Sequence, residues 1–245
     1  MDRLIYTALS GMRRAEYAQS LTANNLANAG TTGFQRDAGI FQNRWIDAED
    51  GTRVQASEQI ASTEMSGGAV STTGRALDVA VKGGGLIAIE KPGGGEGYTR
   101  RGDLQLSAEG ALTTGDGHAV LGGGGPIVVP AADKVEISAD GSVLYHPAGD
   151  PTPAMQVLDR IKLVAFDGTA MRKREDGMLA RIDGRTAAAD GGAGVTPGAL
   201  EGSNVSPVAS LVQLIEQSRS FELQAKMVTT AKDLDQSSMA LMRLE

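Results

Sequence analysis

Glycine placement constrains this chain more than any other feature. Of its 33 glycines, residues 1–29 contain one, Gly11, and residues 203–245 contain none. Glycine destabilises the interior of a helix or strand by roughly 0.5–1 kcal/mol relative to alanine, and its place is the tight turn. The two ends are therefore predicted to be helical, and the glycine-rich middle to be short strands joined by turns. The expected fold class is α+β, with long N- and C-terminal helices around a central antiparallel β-rich domain. Composition divides the chain into an N-terminal helical segment (1–36), a polar, poorly periodic connector (37–75), a β-rich domain (76–200) and a C-terminal helical segment (201–245).

The N-terminal segment carries apolar residues at Leu4, Ile5, Ala8, Leu9, Met12, Ala15, Ala18, Leu21 and Leu26. Steps of three and four dominate, the period of an amphipathic helix. Arg3, Arg13, Arg14 and Glu16 lie mostly off that stripe. At the other end, Ser206 is placed to cap a helix with Pro207 at its first position. A stripe follows at Leu211, Leu214, Ser218, Phe221, Ala225 and Val228, then shifts by one to Ala231, Leu234, Ser238 and Leu241. About 38 residues of helix span roughly 57 Å, longer than most globular domains accommodate. Long helices without tertiary partners are marginal in water. The two ends are expected to pair with each other and to leave faces over for other copies.

The middle alternates strand and turn signals. ALDVAVKGGGLIAIE (76–90) reads as two strands around a glycine turn. YTRRGDLQLSAEGALTTGDGHAVLGGGGPIVVP (98–130) reads as strand, turn, strand, turn, strand, and KVEISADGSVLYH (134–146) as a hairpin turning at Asp140-Gly141. RIKLVAFD and GMLARID supply further strands. Residues 184–199, GRTAAADGGAGVTPGA, have the composition of a linker.

Signals for catalysis are scarce. His118 and His146 both sit beside turns, and no HExxH spacing occurs. The glycine runs 83–85, 93–95 and 122–125 have no following lysine and read as turns rather than phosphate cradles. Acidic residues are scattered over turns with no pair suited to general acid and base work. The expectation is a protein that is not an enzyme and has no cofactor or metal. With no cysteine, thiolate metal sites and disulfides do not arise. A net charge of -7 without a basic stripe argues against nucleic acid. No run of ~18 apolar residues suggests stable membrane insertion. The first twenty residues lack an apolar signal-peptide core of ~7–15 residues, so any export is expected to need no cleaved signal.

One stretch calls for a specific explanation: ANNLANAGTTGF, residues 23–34. Three asparagines crowd a helix end, where their amides bond backbone groups and where Asn28 or Gly30 suits a left-handed cap. The stretch resembles the N-terminal signature of the rod and hook family of flagellar axial proteins, an ANNLAN-type motif followed by T-x-GF. The likeness runs the length of the chain. TTGRALDVAVKGGGLIAIE (72–90) and the 98–130 segment are similar to the family's central region. LEGSNVSPVASLVQLIEQSRSFELQAKMV (200–228) resembles its C-terminal signature, in which SNV precedes the long helix. VEISADGSV, RIKLV and REDGML look most like the proximal-rod subtype, ahead of the distal-rod subtype.

The resemblance implies a structural subunit that polymerises with itself and with other rod subunits into the flagellar basal-body rod, the periplasm-spanning shaft that carries torque from motor to hook. It implies export by the flagellar type III apparatus, terminal helices paired as a coiled coil lining the tube, and the β domain outside. Phe34 is expected to anchor the emerging chain against packed helices. The stripes and the two signatures together give a candidate assembly interface. On the N-terminal side it comprises Ile5, Leu9, Met12, Asn24, Asn25, Leu26, Asn28, Gly33 and Phe34. On the C-terminal side it comprises Asn204, Val205, Leu211, Leu214, Ile215, Phe221, Ala225, Val228 and Leu234. A monomeric β-rich module binding glycans or peptidoglycan is the alternative. Only 4 % of residues are aromatic, which leaves few rings for sugar stacking.

Overall fold

A computed structural model describes the backbone of residues 2–45, 54–149, 152, 154–174 and 176–242, and the side chains of these apart from 2–7, 40–45, 54–61, 235 and 238–242. The chain forms two compact units, one built from residues 1–27, 37–62 and 206–245 and the other from 28–36 and 63–205. The structure is α+β, with a helix at each end and a β-rich centre.

The first unit contains α1 (Asp2–Ala27), the hairpin of β1 (Asp37–Trp45) and β2 (Val54–Thr63), and α2 (Pro207–Met242). Ser206 caps α2: its hydroxyl accepts from Ala209 N at 3.4 Å and its carbonyl from Ser210 N at 3.0 Å. The helices pack on one another in antiparallel sense, Thr22 lying near Gln217 and Gly11 near Gln224. Residues 37–75, read from sequence as a connector, carry β1 and β2. In the VQASEQIAST of β2, Glu58 interrupts the alternation of Val54, Ala56 and Ile60 with polar residues, so the period of a strand is weak there.

The second unit is built on antiparallel pairs. Its largest sheet orders β12 (Leu163–Ala165), β5 (Gly85–Glu90), β6 (Glu96–Thr99), β14 (Leu179–Arg181) and β13 (Met171–Lys173). A second joins β11 (Gln156–Arg160), β10 (Ser142–Pro147) and β9 (Ala132–Ile137). Three short pairs complete it: β3 (Val70–Thr72) with β16 (Ala199–Glu201), β4 (Val79–Val81) with β15 (Val195–Pro197), and β7 (Leu104–Leu106) with β8 (Leu112–Thr114). Strand β5, GLIAIE, is buried on both faces. Ile87 and Ile89 join Val79, Leu104, Leu112, Val120, Val143 and Ile161 in the main core. Leu86 and Ala88 join Tyr98, Val164, Leu179 and Ala187 in a second cluster. The tract at 184–199 has a linker's composition, yet Ala187 and Val195 are buried and its end forms β15. Small residues there let backbone lie close over the sheet.

Tyr98 anchors the second cluster. Its hydroxyl donates to Glu96 Oε2 at 2.8 Å and accepts from Ala187 N at 2.7 Å, while Lys162 Nζ donates to Glu96 Oε1 at 2.6 Å. Burial, reinforced by the Glu96 carboxylate and opposed by the Ala187 amide, pushes the Tyr98 phenol up to about 12. Tyr98→Phe leaves the Ala187 amide without its acceptor and should lower the stability of this unit by about 1–3 kcal/mol. The pH dependence has a fixed sign. An unfolded tyrosine loses its proton near pH 10 and the folded one near 12. This part of the stability is complete below pH 10 and is lost as the pH rises through 12. Urea unfolding of both proteins between pH 8 and 12 should show that fall in the parent only.

Candidate assembly site

The residues of the two signatures meet in the second unit. At Gly33 the backbone takes a positive φ of 68° and its amide donates to Glu201 O at 2.8 Å. A Cβ there would stand 2.5 Å from Arg101 N and 2.6 Å from Arg100 O, so only glycine fits. Gly33 thus takes a left-handed conformation, whereas Gly30 lacks a positive φ. Asn204 ties the following residues: its Oδ1 accepts from Arg36 N at 2.7 Å, its backbone amide donates to Phe34 O at 3.3 Å, and its Nδ2 donates to Glu64 O at 2.8 Å and Ser66 O at 3.1 Å.

Beneath them lies a buried ion pair. Arg100 Nε meets Glu201 Oε2 at 2.7 Å, with side-chain exposures of 4 % and 2 %. Arg100 Nη1 and Nη2 also donate to Gly85 O at 3.1 Å and Val81 O at 3.3 Å, and Glu201 Oε1 accepts from Gly68 N at 2.9 Å. Burying two charges is costly unless the remaining donors and acceptors are satisfied, and here they are. Phe34 is half-buried, with Lys173 Nζ 3.8 Å above its ring centre and donating to Gln35 O at 3.0 Å. Among the described contacts, Phe34 thus meets a lysine of β13.

The asparagines divide their work. Within the first unit, buried Asn25 mimics a strand partner: its Nδ2 donates to Asp37 O at 2.8 Å and its Oδ1 accepts from Asp37 N at 2.9 Å. Asn28 Oδ1 accepts from Thr31 Oγ1 at 3.1 Å. Asn24 is exposed.

Of the remaining candidates, Val205 is buried, whereas Met12, Leu26, Leu214, Phe221, Ala225 and Val228 are half-buried. Leu9, Leu211, Ile215 and Leu234 are exposed, and the side chain of Ile5 lies outside the described residues. Arg100, Glu201 and Lys173 also belong to this site and carry no signal of it in the sequence. The stretches TRRGD and LEGSNV contain the ion pair, but nothing in a linear pattern joins positions 101 residues apart.

Three family models match: the flagella basal body rod protein model at residues 5–35, the flagellar hook protein FlgE/F/G D1 domain at 80–145, and the flagellar basal body rod FlgEFG protein C-terminal model at 196–241. The chain is 35 % identical to the flagellar basal-body rod protein FlgF of Salmonella typhimurium over 240 residues, 95 % of each chain. The chain belongs to the flagellar basal-body rod protein family. It is likewise 35 % identical to the FlgF of Escherichia coli over 95 % of each chain, and 31 % identical to the rod protein FlgG of Bacillus subtilis over 99 % of this chain and 100 % of that one. A rod protein is a structural subunit of the flagellum, and none of the matched families is catalytic. The first and last matched segments bracket the Gly33–Glu201 and Phe34–Asn204 contacts of this rod protein.

Arg100→Met should destabilise the second unit by about 3–5 kcal/mol, because it strands the Glu201 carboxylate in the interior. Adding Glu201→Gln should restore part of that loss, a coupling readable in a double-mutant cycle of urea midpoints. Additive losses would show that the two charges do not stabilise one another.

Proposed function

We propose that this rod protein occupies the proximal rod, where α1 and α2 pair as a coiled coil lining the tube and the β-rich unit lies outside. In this reading it leaves the cytoplasm unfolded through the flagellar type III apparatus and polymerises with itself and with other rod subunits in the periplasm. No described helix is long and apolar enough to cross a membrane. The observation that carries the reading is the outer surface of α2. Val208, Leu211, Val212, Ile215, Leu223, Met227 and Leu234 remain 48–73 % exposed while the helix packs on α1. Exposed apolar side chains that recur along one side of a helix mark an interaction surface. Fully burying one such side chain contributes roughly 1.5–3 kcal/mol, and a polymer repeats the gain in every subunit.

The interface we assign therefore has two layers. Leu214, Phe221, Ala225 and Val228 hold α2 within its own subunit, while Leu9, Leu211, Ile215 and Leu234 face neighbouring copies. A distal-rod place is the second reading, favoured by the full-length likeness to FlgG.

Ile215→Glu tests the assembly reading. Its side chain is 56 % exposed, so the monomer should tolerate the charge and the β-rich unit should keep its melting transition. In the polymer the carboxylate would be buried without a partner. The expected phenotype is a soluble protein that fails to enter purified basal bodies, with non-motile cells. Normal swimming would remove this face from the interface.

A further inference from the structure

The face that joins α1 to α2 contains two carboxamides that helix packing alone does not require. Along the less exposed side of α2, Leu214, Gln217, Phe221, Gln224, Val228 and Ala231 are spaced alternately by three and four. On α1 the corresponding series is Ala8, Gly11, Ala15, Ala18, Thr22 and Asn25, also in steps of three and four. A run of small residues opposes a run in which every second position on the large side is a glutamine or alanine.

Each glutamine meets one particular residue of α1. Gln217 Nε2 donates to Thr22 Oγ1 at 2.9 Å, and that hydroxyl donates onward to Ala18 O at 2.9 Å. Gln224 lies across the backbone at Gly11. A Cβ at residue 11 would stand 2.8 Å from Gln224 Cδ and closer still to Oε1. The Oε1 atoms of Gln217 and Gln224 are both buried and have no hydrogen-bond partner. Such orphaned acceptors weaken a folded state, so the pair forgoes stability that leucines at these positions would supply.

That cost has a counterpart in selectivity. Sliding α2 by one turn sets Gln224 over Ala8 or Ala15, whose methyl groups require its carboxamide to change rotamer. The same slide carries Gln217 away from the Thr22 hydroxyl. A polar residue in a helix seam is known to fix register at the expense of stability. We propose that Gln217 and Gln224 set the register of the α1–α2 pair, with Gly11 and Thr22 as their receptors, and hold that pair weak enough to be rearranged. This rests on the helix pairing proposed above.

The chain has no cysteine, so two introduced thiols can be labelled without interference. Spin labels on Ser20→Cys and Glu216→Cys, both at exposed positions, report the register in the full chain by pulsed electron resonance. The parent should give one narrow distance. Gln217→Leu with Gln224→Leu should add a second population displaced by roughly 5 Å, one helical turn, while raising the temperature at which the helices melt. Gly11→Ala should broaden the distance, and Gln224→Ala in that background should narrow it again. One unchanged peak in both the leucine and the Gly11→Ala proteins would overturn the register role and leave the pairing intact. A broad distribution in the parent would overturn the pairing itself.

Discussion

The ion pair between Arg100 and Glu201 is the interaction on which the order of the second unit's first and last segments depends. Glu201 ends β16, a few residues before α2, and its backbone carbonyl receives the Gly33 amide, a few residues after α1. Arg100 stands at the end of β6 and reaches the carbonyls of Gly85 and Val81. One guanidinium thus joins two core strands to the last strand of the sequence, and the same carboxylate closes on Gly68. Few alternatives meet the requirement. A hydrophobic pair at these positions fills volume without selecting which backbone groups it meets, whereas a fork of donors accepts only oxygens at the right angle and distance.

This explains why the motif at 23–34 contains the residues it does. A helix that must stop and hand its chain to a β unit needs a partner for the backbone beyond its end. Asn25 supplies one by pairing its amide with both backbone groups of Asp37. Gly33 then passes so close to Arg100 and Arg101 that any side chain would collide with their backbone. Phe34 follows immediately, with its ring under a lysine that also hydrogen-bonds the next carbonyl.

Much of this was legible in the sequence. The helices and the Ser206 cap follow from periodicity and propensity, which are local. The β-rich middle follows from glycine spacing, and the family from motifs spread along the whole chain. The hairpin of β1 and β2 was not legible, because Glu58 breaks the alternation of its second strand and short polar runs read as connector. The burial of residues 184–199 was hidden for the opposite reason. Alanine and glycine read as a linker whether they are solvated or pressed against a sheet. The ion pair, the Lys173 contact and the glutamine seam join residues far apart in the chain, and no pattern in a single sequence connects them.

The helices invert the arrangement expected of a protein that ends at its own surface. Their mutual face sets Leu214, Phe221 and Val228 among alanine, glycine and two glutamines, and two of its carbonyl oxygens are unsatisfied. Their outer face carries leucine, isoleucine, valine and methionine. In an isolated monomer this exposes apolar area and buries polar atoms, and both raise the free energy. In the proposed polymer the same distribution would place apolar contacts between subunits. On that proposal stability is withheld from the monomer and released on assembly, as befits a structural subunit of the rod.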